Sequence, residues 1–264
     1  MIGWLDGLVP AAVEWLDHRV IDGVAERSFR VVGTSGAVPG ALWLPSCWSM
    51  PRPLVLLGHG GSGHKRSRRI VELARWFATY AGLAAVAIDG PYRGDRVSAP
   101  LSATQYQARI AETGIEVVPD RMAEDWRATA DAITAVGLAV PDRLAYVGMS
   151  MGTRFGLSVA AAMGDRFRCL VFGKFGLQQG AAMHEGMAAP ERVAGDARRI
   201  TAPVLFHVQW HDEIFPRHGQ LALFDLLGST DKQLAGYVGA HAKTDPGAIA
   251  LWRDFVARHL APTS

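Results

Sequence analysis

The chain has 264 residues, of which 49% are hydrophobic and 20% are charged, and its formal net charge is +2. This length suits one large domain with a substantial buried core, and the composition excludes a disordered or fibrous chain. The small net charge gives no reason to expect nucleic acid as a partner. The two cysteines, Cys47 and Cys169, are too few for a disulfide framework. Both have apolar neighbours, so we expect small core residues in a reducing compartment.

Residues 1–23 carry apolar side chains at helical spacing, among them Leu5, Leu8 and Leu16. Acidic residues interrupt the segment and no positively charged stretch leads into it, which distinguishes it from a targeting peptide. No run in the chain approaches the roughly 18 apolar residues of a membrane span. We therefore predict an N-terminal helical extension over residues 1–23, packed on the domain or on a second subunit of a homodimer. The expected location is the cytoplasm, without membrane contact.

Strand and helix patterns alternate along the rest of the chain. The segments "ERSFRVVG" and "VPGALWLP" predict two short strands separated by a turn. Five further apolar strands are predicted: "PLVLLGH", "LAAVAID", "RLAYVG", "CLVFGKF" and "PVLFHVQW". Helices are predicted over residues 66–80, 120–136 and 246–260, with a loop between "LAAVAID" and residue 120. This alternation indicates a mostly parallel sheet flanked by helices. We predict a single α/β domain over residues 1–264, with residues 177–200 as a small candidate lid.

A glycine-rich segment, "GHGGSGHKRS" at residues 58–67, follows the strand "PLVLL". Gly58 and Gly63 have the spacing of a phosphate-binding loop, but His64 stands where that loop requires lysine, and Lys65 comes one position late. The shifted position of this lysine disfavours a nucleoside triphosphatase. Open backbone N–H groups in such a loop also suit a transient oxyanion formed during acyl transfer. This second interpretation predicts a nucleophile further along the chain.

The pentapeptide "GMSMG", residues 148–152, lies between the strand "RLAYV" and a helical pattern. In this context the motif G-x-S-x-G presents its serine, Ser150, on a tight turn from which flanking glycines remove colliding side chains. A serine hydroxyl becomes a nucleophile when a histidine takes its proton, and that histidine needs a carboxylate to orient it. Asp212, just after "PVLFHVQW", and His241, before the last helix, follow in the order nucleophile, acid, base.

These segments resemble the α/β-hydrolase family, and more narrowly its dienelactone-hydrolase-like and small carboxylesterase branch. The resemblance spans residues 24–260 and is carried by "GHGGSG", "DGPYRGDR", "GMSMG", "HDEIFP" and the "AHA" around His241. It implies the α/β-hydrolase fold. The family spacing of an aspartate followed by an apolar residue and proline matches Asp212, Phe215 and Pro216, which favours Asp212 over the neighbouring Glu213 as the acid.

The resemblance also implies an oxyanion hole made by the backbone N–H groups of Gly61 and Met151. It departs from the family at Arg93, where many relatives have histidine. We predict a serine hydrolase that cleaves carboxylic esters or lactones of small molecules through an acyl-enzyme intermediate on Ser150, without a metal or organic cofactor. Two alternatives stay open: hydrolysis of amides or thioesters on the same fold, and a non-catalytic hydrolase-fold protein that binds a ligand.

Three residues near the expected site are candidates for substrate contact: His59, Phe175 and Met183. His59 has an alternative role in holding the glycine turn by hydrogen bonding. Five cations near the same loops are candidates for attracting a substrate carboxylate: Lys65, Arg66, Arg68, Arg69 and Arg154. The alternative for these cations is ion pairing with surface acids. His207 and His211 would lie about 13 Å apart along a strand, too far for one metal ion.

Overall fold

Nine strands form one sheet in the part of the chain that the computed structural model describes, residues 12–33 and 36–261. The strands are β1 (Val13–Ile21), β2 (Val24–Gly33), β3 (Gly36–Pro45), β4 (Arg52–Gly58), β5 (Ala84–Ile88), β6 (Ala139–Gly148), β7 (Phe167–Gly173), β8 (Val204–Gln209) and β9 (Lys232–Tyr237). Their order across the sheet is β1-β2-β3-β5-β4-β6-β7-β8-β9. The pairs that join β1, β2, β3 and β5 are antiparallel, and all pairs from β5 to β9 are parallel. The predicted, mostly parallel sheet is therefore confirmed.

Seven α-helices connect or flank these strands over the same described residues. They are α1 (Arg68–Tyr80), α2 (Ala103–Thr113), α3 (Val117–Ala135), α4 (Met151–Met163), α5 (Pro190–Arg198), α6 (Arg217–Leu226) and α7 (Pro246–Leu260). None of them combines the length and the apolar character needed to cross a bilayer.

Two apolar cores lie on opposite faces of the sheet. One contains Phe77 of α1 with Trp252 of α7, and the other contains Trp126 of α3 with Phe172 of β7. The parallel strands are buried on both faces, which explains their nearly continuous apolar sequences. Because the sheet is covered on both sides, its open edge at the carboxyl ends of the strands is where a ligand binds in this type of fold.

Strand β4 is the point at which the order of the strands reverses. The chain goes from β4 to β5 on one side and later returns to β6 on the other side. The loops after β4 and β6 diverge from adjacent strands, so a crevice opens between them. These are the loops that contain the glycine-rich segment and Ser150, and the fold therefore brings the two sequence motifs together.

The predicted N-terminal helix is wrong over Val13–Ile21, which forms the edge strand β1, while residues 1–11 lie outside the described residues. This strand pairs with β2 across a turn at Asp22 and Gly23, where both residues have positive φ, 49° and 74°. Asp-Gly is a preferred sequence for the two-residue hairpin turn that this geometry requires. A bulge between Trp15 and Asp17 interrupts the two-residue period of the strand, which made its apolar residues appear helical.

Helix α2 lies in a segment that was predicted to be a loop. Its first turn has a capping box: Ser102 Oγ accepts from the N–H of Gln105 at 3.2 Å, and the Gln105 side chain accepts from the N–H of Ser102 at 3.0 Å. The sequence signal for this start, serine followed three residues later by glutamine, was present. Helix α2 matters because it forms one wall of the cavity described below.

Two smaller expectations also change. Within the candidate lid, residues 177–200, the second half forms α5, whose Val193 and Ala197 are buried. Only the part before α5 faces the site. Cys169 lies in the core as predicted, whereas Cys47 is exposed in the turn after β3, so its assignment to the core is wrong. Strand β3 ends at Pro45, so Cys47 lies in the turn after it. Its apolar neighbours in the sequence therefore do not bring it into the core.

Candidate active site

Ser150 lies in a strained turn between β6 and α4. Its backbone angles are φ 60° and ψ −122°, a region that side-chain-bearing residues rarely occupy. A methyl carbon placed on Gly152 would lie 2.6 Å from the carbonyl oxygen of Gly58, so only glycine fits beside the turn. The N–H of Ser150 donates to the carbonyl of Gly173 at 2.9 Å. The turn is therefore held by both neighbouring strands, and it presents the hydroxyl at the carboxyl edge of the sheet.

The three side chains predicted for the site form a hydrogen-bonded chain. His241 Nε2 lies 3.0 Å from Ser150 Oγ, and His241 Nδ1 lies 2.8 Å from Asp212 Oδ2. The carboxylate of Asp212 is buried, and its other oxygen accepts from the backbone N–H groups of Ile214 at 2.9 Å and Phe215 at 2.7 Å. Because an ionised carboxylate only accepts, it holds the proton of His241 on Nδ1. Nε2 is then free to accept the proton of the serine.

Glu213, the alternative acid, makes a different contact. Its Oε2 accepts from the backbone N–H of His241 at 2.8 Å rather than from the imidazole. That hydrogen bond lowers the pKa of Glu213 below its ordinary value. Glu213 therefore supports the loop that carries His241, and of these two carboxylates it is Asp212 that contacts the ring.

The glycine-rich loop lies against the serine turn. Gly61 and Met151 both line the cavity that contains Ser150, and a methyl carbon on Gly61 would lie 3.0 Å from Met151 Cγ. Within the described residues, the backbone N–H groups of Gly61 and Met151 have no protein acceptor. Two free donors next to a serine hydroxyl are the arrangement that a developing negative charge requires.

His59 holds this loop in place and does not reach the cavity. The N–H of Gly90 donates to His59 Nε2 at 2.8 Å, so the ring proton is on Nδ1, which donates to the carbonyl of Gly60 at 2.8 Å. Burial lowers the pKa of His59 to about 4, which keeps the ring neutral. The expectation that His59 contacts substrate is therefore wrong, and the alternative role in holding the glycine turn describes its contacts.

Asp89, at the end of β5, braces the start of the same loop. It is fully buried, and its carboxylate accepts from the backbone N–H of Lys65 at 2.9 Å and from Lys65 Nζ at 2.5 Å. It also accepts from the N–H of Asp95 at 2.8 Å. The two loops at the edge of the sheet are thereby tied together through one carboxylate.

A cavity of about 340 Å³ opens beside Ser150 and His241. Its other walls are mainly apolar and come from two segments, with Leu101 and Tyr106 around the start of α2 and Met183 and Met187 before α5. Met183 lies at the predicted place. The sequence prediction did not include the residues around α2, although the capping signal of that helix is present in the sequence.

Phe175 does not line this cavity, which corrects a second expectation. Its side chain is fully buried, with its ring centroid 4.7 Å from that of Phe215, which is a wall residue. Phe175 therefore supports the wall from behind. The closeness of Phe175 in the chain to the expected site did not determine whether its side chain faces the cavity or lies behind the wall.

The cations near the site differ in their partners. Lys65 pairs with Asp89 and with Asp95, and Arg66 pairs with Glu26, so for these two the ion-pair alternative describes the contacts. Arg154 is buried, and among the described residues no acidic side chain lies within salt-bridge distance of it. Burial lowers the pKa of Arg154 to about 10, which still leaves it charged at neutral pH.

Arg93, which is not one of these candidates, lines the cavity. Its guanidinium carbon lies 4.1 Å from the ring centroid of Tyr106, and its Nη1 donates to the carbonyl of Leu101 at 2.8 Å. Arg93 thus joins the loop after β5 to the wall formed around α2. This arginine occupies the position where the sequence departs from the family pattern.

Among solved structures, the chain is similar to a cold-adapted esterase from an Arctic intertidal metagenomic library. The two share 30% sequence identity with a TM-score of 0.81, over 94% of this chain and 99% of that one. The chain belongs to the esterases of the α/β-hydrolase family. Two more distant structures have the same fold as this esterase. One is an acetyl xylan esterase from Paenibacillus sp. R4, with 20% identity and a TM-score of 0.71 over 94% and 88% of the two chains.

The second of these structures is a dienelactone-hydrolase-like promiscuous phosphotriesterase from metagenomic libraries. It shares 21% identity with the present chain, with a TM-score of 0.69 over 90% of the present chain and 98% of the phosphotriesterase chain. No protein-family model matches the chain, and no curated protein is significantly similar to it. The family membership agrees with the resemblance that the motifs around Ser150, Asp212 and His241 indicate.

Proposed function

We propose that this esterase hydrolyses carboxylic esters of small molecules through an acyl-enzyme intermediate on Ser150. The observation that carries the proposal is the continuous hydrogen-bonded chain from Ser150 Oγ through His241 to Asp212, at 3.0 and 2.8 Å, beside a cavity large enough for a small ester. The similarity to a cold-adapted esterase over nearly the whole chain supports the same class of reaction.

In the first half-reaction, Ser150 Oγ attacks the carbonyl carbon of the ester while His241 Nε2 takes the hydroxyl proton. A carbon–oxygen bond forms, and the carbonyl electron pair moves to its oxygen. The backbone N–H groups of Gly61 and Met151 bind this oxyanion, and losing one such donor raises the barrier by about 2.7 to 4 kcal/mol. The buried carboxylate of Asp212 stabilises the imidazolium of His241.

The tetrahedral intermediate then collapses. The bond to the leaving alkoxide breaks, and the alkoxide takes the proton from His241 Nε2 and departs as an alcohol. In the second half-reaction, water enters along the path of the alcohol and His241 takes its proton. The oxygen of this water bonds to the acyl carbon, and the bond between that carbon and Ser150 Oγ then breaks. Oγ takes the proton back from His241 Nε2, and the carboxylic acid departs.

The cavity sets the size and the polarity of the substrate. Its volume of about 340 Å³ is at the small end of ligand pockets, which range from about 300 to 1,000 Å³. Its wall is mainly apolar, with Leu101, Met183 and Met187 among its members. We therefore expect short acyl groups of a few carbons to be cleaved faster than long ones, and lactones of similar size to fit as well.

A fluorophosphonate probe with a matched pair of serine variants tests this proposal. The wild type should be labelled and should hydrolyse p-nitrophenyl acetate, whereas Ser150→Ala should do neither. Ser158→Ala is the control, because Ser158 lies on α4, the helix that follows Ser150, and its hydroxyl is buried against Asp196. This variant should leave the labelling and the hydrolysis unchanged. Labelling that persists in Ser150→Ala, or a wild type that neither labels nor turns over any short ester, contradicts the proposal. The second result would indicate a non-catalytic ligand-binding protein.

A further inference from the structure

Lys174 follows the last residue of β7 and has an unusual environment for a lysine. The residue is 2% exposed, and its backbone φ is 50°, in the left-handed region that favours glycine. Its ammonium donates to the carbonyl of His241 at 3.0 Å, to Thr244 Oγ1 at 2.8 Å and to the carbonyl of Lys243. All three acceptors belong to the loop that carries His241. A strained backbone and a buried charge at one residue point to a role that outweighs both costs.

The ammonium is satisfied by these acceptors and not by an ion pair. An ammonium has three donors, and the three acceptors in the loop use all of them. No carboxylate of the described residues lies within salt-bridge distance of Lys174 Nζ. Burial and the nearby charge of Arg69 lower the pKa of Lys174 to about 8, although Asp212 and Glu213 act in the opposite direction. The charged form therefore predominates at neutral pH.

The loop that Lys174 contacts is held mainly by polar contacts. The N–H of His211 donates to the carbonyl of Gly239 at 3.1 Å, and Arg69 Nη1 donates to Thr244 Oγ1 at 3.1 Å. Between Tyr237 at the end of β9 and Ala248 in α7, none of the side chains is buried. Apolar packing therefore does not determine the position of this loop, and polar contacts must do so. Glu213 holds the backbone N–H of His241 from one side, and Lys174 holds its carbonyl from the other.

The residue just before Lys174 contacts the nucleophile turn. The carbonyl of Gly173 accepts from the N–H of Ser150 at 2.9 Å and from Thr153 Oγ1 at 2.8 Å. The backbone N–H of Lys174 in turn donates to the carbonyl of His207 in β8 at 3.1 Å. Two consecutive residues at the end of β7 thus hold the serine turn and the histidine loop at a fixed separation.

We propose that Lys174 is a positioning residue that keeps the imidazole of His241 aligned with Ser150. The inference rests on the proposed role of Ser150 and His241 in ester hydrolysis. Lys174 does not line the cavity, so it acts through the loop and not on the substrate. Without the ammonium, the carbonyls of His241 and Lys243 lose their donor, and the loop samples positions in which Nε2 is displaced. A displacement of about 1 Å lowers the rate of an aligned reaction by about 100-fold.

The variant Lys174→Met tests the inference, because it keeps the length of the side chain and removes its donors. We expect kcat to fall by roughly 10- to 100-fold, with KM changed by less than about threefold, since the cavity wall is untouched. The rate of fluorophosphonate labelling should fall with kcat. The low-field proton resonance of the His241 Nδ1–H hydrogen bond to Asp212 should broaden or disappear in the one-dimensional NMR spectrum.

Lys232→Met is a matched control for the loss of a lysine that bonds three carbonyls. Lys232 Nζ donates to the carbonyls of Phe224, Asp225 and Leu227 at 3.0, 3.1 and 3.1 Å. Lys232 lies at the start of β9, and the strand has six residues. The strand length places Lys232 about 17 Å from the end that leads to His241. This control should lower the melting temperature and leave kcat and the labelling rate unchanged.

The inference is overturned if Lys174→Met and Lys232→Met have the same kcat and the same labelling rate. If Lys174→Met does not fold, Thr244→Val removes one of the three acceptors, and we expect it to lower kcat several-fold at constant KM. An unchanged kcat in Thr244→Val would then overturn the inference. A wild type that the probe does not label would instead contradict the proposed function, so the two failures are distinguishable.

Discussion

Replacing Asp212 with asparagine tests the proposed acid directly, because the adjacent Glu213 provides a second carboxylate with a different contact. Asp212 Oδ1 accepts from two backbone N–H groups, at 2.9 and 2.7 Å, and Oδ2 accepts from His241 Nδ1 at 2.8 Å. An asparagine has a single acceptor oxygen, and the two backbone donors will hold it in the position of Oδ1. The amide nitrogen is then directed at His241 Nδ1.

The size of the effect follows from the tautomer of the imidazole. An amide nitrogen only donates, so His241 must present an unprotonated Nδ1, and its proton moves to Nε2. A protonated Nε2 is unable to accept the proton of Ser150. The loss of this proton transfer and of the charge that stabilises the imidazolium predicts a fall of about 10⁴-fold in kcat, or about 5.4 kcal/mol of barrier.

Glu213→Gln is the matched variant. The side-chain oxygen of glutamine still accepts from the backbone N–H of His241, so the loop keeps its contact. We expect kcat to change by less than about threefold, because the contact lies at the exposed side of the loop and a neutral acceptor replaces a charged one.

Steady-state hydrolysis of p-nitrophenyl acetate at neutral pH measures both variants, with thermal melts to establish that each is folded. The reasoning fails if Asp212→Asn keeps more than about a tenth of the wild-type kcat, since the tautomer then has no large effect. It also fails if Glu213→Gln loses as much activity as Asp212→Asn, since both carboxylates would then be needed at the ring.

Two further predictions concern stability. Gly152→Ala should destabilise the fold by about 1 to 3 kcal/mol and reduce activity, because its methyl carbon would lie 2.6 Å from the carbonyl oxygen of Gly58. Gly195→Ala, in the open interior of α5, should instead be neutral or stabilising by up to about 1 kcal/mol; a Gly152→Ala variant that melts at or above the temperature of Gly195→Ala would contradict this contrast. In the folded protein His59 is buried and neutral, with a pKa of about 4, whereas its ordinary pKa of 6.5 applies in the unfolded chain. Between pH 6.5 and 4 the unfolded chain therefore binds more protons than the folded protein, and the free energy of unfolding should fall as the pH falls through that window. Urea unfolding should show that His59 lowers the free energy of unfolding by about 2 kcal/mol between pH 7 and pH 5. His59→Asn should remove this contribution, and an unchanged pH dependence in that variant would show that His59 is not its source.

Short-range steric rules explain why so much of the fold was predictable. The parallel strands are buried on both faces, so their apolar runs identify them without knowledge of their partners. The turn at Ser150 needs glycine at 148 and 152 because of contacts within a few ångströms, and the sequence displays that need directly. The helix over Pro246–Leu260 was predicted with its observed bounds, since a proline and an N-terminal aspartate mark its start.

The N-terminal segment shows how a local pattern misleads. Its apolar residues have helical spacing, but Val13–Ile21 pairs with β2 as a strand. A bulge shifts the alternation of its side chains, and the Asp-Gly turn after it is the stronger signal. The pairing partner lies within the same hairpin, so in this case the sequence itself contains the signal for the strand.

From its sequence alone, this protein's strand–helix alternation and its serine turn were determined, because each depends on residues close together in the chain. The order of Ser150, Asp212 and His241 was also visible, because a short motif marks each of the three positions. Only the tertiary structure decided which side chains reach the cavity, so that Met183 lines it while His59 and Phe175 lie behind its wall. It also decided the role of Lys174, whose acceptors lie about 70 residues further along the chain. Contacts between such distant segments depend on how whole layers pack, and no local pattern of residues encodes them.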